Sequence, residues 1–171
     1  VDVTPYREFF RRHSNLDIDR LVCCTTMDEL ISAMKGNEFY APLSRIQNRE
    51  TTLLFDYGMA LDLYYFNMIW HVRKKLFSGN DLRQITTAYG EKFDMLNLQF
   101  IYRSKRYFHM APADIYALLI PMNYKLKKEE INAIVEANTY EESRALFRKT
   151  YYGKKYEHLA AHNLEEFYNH M

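Results

Sequence analysis

Apolar residues recur at spacings of three and four along most of the chain, and strand-like alternation never persists. The pattern predicts an all-α protein, a bundle of long and short antiparallel helices. Pro5 opens a first short helix with Thr4 as its cap. Thr26 precedes MDELISAMKG, with Glu29 three residues on, which is a capping box, and Gly36 marks the stop. A long helix is expected from about Pro42 to Phe77, ended by Ser78 and Gly79, with Arg73, Lys74 and Lys75 in its last turns where the helix dipole favours them. Asp81 starts a short helix that stops at Gly90, and residues 91–108 form the next. Pro112 starts another and Pro121 ends it; residues 127–137 and 139–149 make two more. The last helix begins near Lys154 and is still running at Met171.

The most apolar window is LLFDYGMALDLYYFNMIW, residues 53–70. Asp56, Asp62 and Asn67 interrupt it, so it reads as a buried helix and not as a membrane span. The formal net charge of +1 gives no bulk reason to expect nucleic acid. With 15 Tyr and 11 Phe, the helices have wide aromatic faces that suit helix–helix contacts and wet interfaces, or a core with hydroxyls at its surface. Cys23 and Cys24 are neighbours, so they build no disulfide framework and no Cys-x-x-Cys site; free buried thiols in a reducing compartment are expected. The opening VDVTPYREFFRRHSN has no signal-peptide pattern and no initiator Met, and the closing NLEEFYNHM shows no helix stop. Together they read as the ends of an excised fragment.

Candidate chemistry is sparse. His158 and His162 lie one helical turn apart with Glu165 and Glu166 beyond, but HLAAH lacks the Glu of zinc proteases and no third ligand is evident. An exposed helix face is the reading there, and no metal is expected. Residues 81–107 have the outline of a helix-turn-helix with its turn at Gly90. Its second helix shows Phe93, Met95, Leu96, Leu98, Phe100, Ile101 and Tyr102, too apolar a face for a DNA groove. Residues 101–155 are locally basic, a face that suits an acidic partner protein or lipid headgroups, or simply solvent. No Gly-rich phosphate loop and no nucleophile–base arrangement appear, so no catalytic residue and no cofactor are assigned.

Polar groups on the apolar stretch EKFDMLNLQFIYRSKRY, residues 91–107, carry the most information. Asp94 and Asn97 are three apart and share a helix face. Arg103 lies nine residues beyond Asp94, about 180° around the axis, so the two cannot pair within one helix. Each needs a partner on another element or at the surface, because buried charges without partners are costly. These groups are expected to pin the helix to its neighbours in one register. A weak internal repeat is also present: MDELISAMKGNEF (27–39) aligns with YEESRALFRKTYY (140–152), and ALDLYYFNM (60–68) with NLEEFYNHM (163–171).

The run Glu91-x-x-Asp94-x-x-Asn97, followed by Arg103-x-Lys105, resembles the C-subunit family of the archaeal and bacterial V-type (A-type) ATPases, which is related to the d-subunit of the eukaryotic vacuolar proton pump. LIPMNYKL (119–126) looks like that family's Leu-Ile-Pro turn, TYEESRALFRKTYY (139–152) like its acidic helix ending in Thr-x-Tyr, and ALDLYYF (60–66) like the long helix opening each unit. The matches cover roughly residues 20–171. Phe93 stands where a smaller aliphatic residue is usual and Asn37 replaces a Thr, as in a divergent bacterial member. The resemblance implies three similar helical units around a pseudo-threefold axis, of which this chain would hold one and a half: residues 1–37 the end of the first, 38–150 the central one and 151–171 the start of the third. It further implies a non-catalytic rotor-stalk adaptor at the cytoplasmic face of the membrane, seated on the membrane rotor ring and receiving the central-shaft subunits. Asp94, Asn97, Arg103 and Lys105 carry over as architectural positions only. From the residues alone, an unrelated helical-repeat scaffold for soluble protein partners and a helix-turn-helix nucleic-acid binder stay open.

Overall fold

A computed structural model describes residues 4–47 and 52–156, and these are predominantly helical with no strand among them. The helices are α1 (Arg7–His13), α2 (Ile18–Val22), α3 (Met27–Ala33), α4 (Tyr40–Ser44), α5 (Leu54–Leu76), α6 (Gly79–Arg103), α7 (Pro112–Leu118), α8 (Lys128–Glu136), α9 (Tyr140–Phe147) and α10 (Tyr151–Lys155). A 3-10 turn, Thr4–Tyr6, runs into α1, and a π-helical segment, Ser104–Phe108, follows α6. The chain divides into two compact units, Val1–Tyr65 and Phe66–Met171, with the boundary inside α5.

The first unit closes over Ile31, Leu43 and Tyr57, against which Met27, Met34, Tyr40, Ile46 and Leu61 pack. Thr26 caps α3 by accepting the Glu29 N–H at 3.2 Å, while the Glu29 carboxylate reaches back to the Thr25 N–H at 2.8 Å. The return bond thus falls one residue earlier than in a standard capping box. Gly36 follows with φ of +90°, a conformation glycine adopts without steric cost.

The single helix expected over 42–77 is instead two, α4 and α5. Local side chains compete with the helical ladder at the break. The Thr52 hydroxyl donates to the Ile46 carbonyl at 2.9 Å, and Asp56 accepts the Leu53 N–H at 2.7 Å, which starts α5 afresh. The thiols also depart from expectation. Cys23 is exposed at the end of α2 and Cys24 is half-buried, its Sγ donating to the Arg20 carbonyl at 3.4 Å.

In the second unit, the far half of α5 turns back into α6 at Ser78 and Gly79, where Gly79 takes φ of +52°. Phe66 and Trp70 of α5 meet Phe93 of α6 edge-on, with ring centroids 5.3 and 5.8 Å apart. Arg73 stacks 3.4 Å over Trp70 and its Nε donates to the Thr86 hydroxyl at 3.1 Å, so this cation serves packing as well as the helix dipole. The larger core joins Leu98 and Ile101 of α6, Ile115 of α7, Ile131, Ile134 and Val135 of α8, Phe147 of α9 and Tyr152 of α10, with Leu126 from the intervening loop.

The expected turn at Gly90 does not exist: α6 runs unbroken from Gly79 to Arg103. One interior glycine costs a helix only about 1 kcal/mol relative to alanine. Here the missing Cβ leaves room for the Tyr124 side chain, whose Cβ would lie 2.8 Å from a Cβ at position 90. Without the turn there is no helix-turn-helix. The helix expected to run on to Met171, with His158, His162, Glu165 and Glu166, lies outside the described residues beyond α10.

Candidate functional site

Asp94 and Asn97 are both fully buried on α6. Asp94 Oδ1 accepts the Tyr124 N–H at 3.0 Å, and Oδ2 accepts the Lys125 and Leu126 N–H groups at 2.6 and 2.9 Å. Three successive backbone donors thereby converge on one carboxylate, the geometry of an anion nest with the anion supplied by the chain itself. The Tyr152 hydroxyl of α10 adds a fourth donor at 2.8 Å. Burial, then the hydrogen bond to Asp94, push the Tyr152 phenol well above the usual tyrosine range.

Asn97 binds the same loop three residues further along the helix. Its Nδ2 donates to the Ile120 carbonyl at 2.9 Å and its Oδ1 accepts the Ile120 N–H at 2.7 Å, as a neighbouring backbone would. One turn before Asp94, Gly90 admits the Tyr124 ring, and Thr87 Oγ1 lies 3.1 Å from the Tyr124 hydroxyl. Thr87, Gly90, Asp94 and Asn97 therefore form one stripe of α6 at helical spacing, and that stripe holds loop 120–126. Glu91, beside it, pairs with Lys155 of α10 at 2.9 Å. This hydrogen bond to Glu91 raises the Lys155 ammonium above the usual lysine range.

Sequence reasoning singled out Asp94 and Asn97 but missed Thr87, Gly90 and Tyr152. Their signal was the spacing from Asp94, visible for Thr87 and Gly90 once α6 is continuous. Tyr152 is 58 residues away and had no local signal. The partner of Asp94 is not a cation, and Arg103 is exposed on the far side of α6. Arg103 therefore lies outside this network.

Lys105 has a separate place. Its Nζ donates to the Ala137 carbonyl at 2.7 Å, satisfying a carbonyl at the buried C-terminal end of α8. Burial lowers its pKa, opposed by the charges of Glu136 and Glu142. Lys105 also lines a groove of about 400 Å³ between the π-helical segment and the start of α9. Lys105, Arg106, His109 and Met110 form one wall; Asn138, Thr139, Tyr140 and Glu141 form the other. Arg106 lies 5.1 Å over the Tyr140 ring, which also meets Tyr102 edge-on at 5.7 Å. His109 holds φ of 49°, and the N–H groups of His109 and Met110 both bond the Ser104 carbonyl.

Among the described residues, no group of three or more His, Cys, Asp or Glu side chains is placed to hold a metal ion. No described helix is long and apolar enough to cross a membrane. The fully buried Asp94 carboxylate, with its four donors, ties loop 120–126 and α10 to α6. The family model described as ATP synthase (C/AC39) subunit matches residues 3–171. No curated protein and no solved structure matches the chain.

Proposed function

The chain belongs to the ATP synthase (C/AC39) subunit family, which makes it a subunit of a V-type ATP synthase, and on that premise we propose that it is the non-catalytic adaptor of the rotor stalk. In this reading it joins the central-shaft subunits to the membrane rotor ring at the cytoplasmic face and passes rotation between them. The observation that carries the reading is the family match over residues 3–171. The stripe on α6 supports it, because a part that transmits torque needs helices and loops held in one register. Asp94 and Asn97 bond loop 120–126 through five hydrogen bonds to main-chain groups, which resist sliding more strongly than apolar contacts do. Asp94, Asn97 and Lys105 act as architectural positions, and the division into repeat units at residues 38 and 151 belongs to the same proposal.

The test is recovery of the native protein from its source cells under conditions that keep membrane complexes intact, with mass spectrometry of everything that arrives with it. Shaft and rotor-ring subunits of a V-type ATPase in fixed ratio with this protein are the expected result. A native protein that arrives with other ATPase subunits but never with shaft or ring would overturn the adaptor role while leaving family membership untouched.

A further inference from the structure

We infer that the small pocket where α9 meets α6 and α8 binds one water molecule, held by the Nε–H of Arg144. Among the described residues, Arg144 Nε is the one buried side-chain nitrogen or oxygen with no hydrogen-bond partner in the protein. Leaving a buried N–H without an acceptor is costly, and native structures nearly always supply one.

The pocket beside this donor has the size for a single small ligand. Its volume is about 20 Å³, and its walls include Ile101 and Tyr102 of α6, Ile134 of α8, and Tyr140, Ser143 and Arg144 of α9. One water needs about 10–15 Å³ of such space, so a water fits and a phosphate or other polyatomic anion does not.

A buried water also needs about two to four polar partners. Ser143 Oγ donates to the Ile134 carbonyl at 3.2 Å, which leaves the lone pairs of its oxygen to accept. The Tyr140 and Tyr102 hydroxyls bond each other. Burial, then Tyr102, raise the Tyr140 phenol, and the charges of Arg144 and Arg106 oppose that rise. The Arg144 guanidinium therefore lies close enough to the phenol to act on it.

These partners select water over a halide. A lone donor stands among hydroxyl oxygens, so the ligand must accept from Arg144 and donate elsewhere. Chloride only accepts, and the Ser143 O–H is already committed to Ile134. A water meets both needs and ties the Arg144 side chain into the packing of α9.

Crystals of the full chain, grown with bromide in place of chloride, test the site. Two variants separate the donor from the charge. Arg144→Gln puts an amide N–H where Nε stands and removes the charge, while Arg144→Met puts a methyl group there. Both keep an unbranched stem and suit a helix, and Arg144 is only half-buried. The expected result is one water within hydrogen-bond distance of Arg144 Nε, kept beside the glutamine amide and lost in the methionine variant. An anomalous bromide peak in the pocket would overturn the inference in favour of an anion. Arg144 Nε donating to a protein oxygen, a pocket without density for a water, or a water unmoved in the methionine variant would overturn it as well.

Discussion

Asp94 meets four neutral donors inside the protein, so its contribution depends on being a complete acceptor and not on pairing with a cation. Asp94→Ala would strand three loop N–H groups and a phenol at a buried position. The expected loss is on the order of 3 to 5 kcal/mol, read by chemical denaturation of the full chain. Asp94→Asn keeps the shape and one acceptor oxygen, and its stability should fall between the two; an alanine variant within about 1 kcal/mol of the parent would end the register-lock idea. Tyr152 adds a pH signature. Its pKa is raised in the folded protein, so the stability it brings is fully present below the ordinary tyrosine pKa of about 10. As pH rises past that value the unfolded phenol ionises while the folded one stays neutral, and stability falls. Tyr152→Phe should lower stability by about 1 kcal/mol near neutrality and flatten part of the alkaline decline. An identical alkaline slope in the variant would show that other groups cause it.

Helix α6 shows how an element can contradict its own local signal. Gly90 reads as a stop, yet the helix passes through because Tyr124 occupies the space a side chain would need. Gly90→Ala should therefore destabilise, although alanine is the better helix former by about 1 kcal/mol. The clash falls on Tyr124 at its Cβ and ring base, where a side chain cannot swing away, and overpacking of this kind typically costs about 1 to 3 kcal/mol. A gain in melting temperature for Gly90→Ala would refute this packing. At α9 the cap repeats the arrangement at α3. Thr139 accepts the Glu142 N–H at 3.1 Å, and the Glu142 carboxylate accepts the Asn138 N–H at 2.9 Å. The aligned segments thus begin their helices in the same way. They differ at the far end, where Thr150 caps α10 by accepting the Gly153 N–H and Asn37 accepts the Phe39 N–H.

At the scale of the molecule, stability should be unevenly spread. Helices α1 and α2 bury no residue, whereas α6 buries six and α8 buries Ile131, Ile134 and Val135. Local opening is governed by how much packing must be broken. Hydrogen exchange on the full chain should show α1 and α2 amides exchanging far earlier than those of α6 and α8. Equal protection throughout would mean that contacts elsewhere hold the first two helices. An uneven chain of this kind still suits an adaptor, provided the protected helices carry the load.

The all-helical class, the starts of α3, α7 and α9, and the shared helix face of Asp94 and Asn97 were legible in the sequence, because caps, proline and 3.6-residue periodicity act within one or two turns. The family was legible too, since short motifs in a fixed order survive without any structure. What Asp94 binds was not legible. Its donors lie 30, 31, 32 and 58 residues away, and nothing local distinguishes a carboxylate bound by main-chain N–H groups from one paired with arginine. The unbroken α6 and the groove beside Lys105 were likewise decided by tertiary contacts, whereas α4 parts from α5 through the short-range bonds of Thr52 and Asp56. Helical propensity separates such alternatives by about 1 kcal/mol, and a single packed ring or paired carboxylate outweighs that.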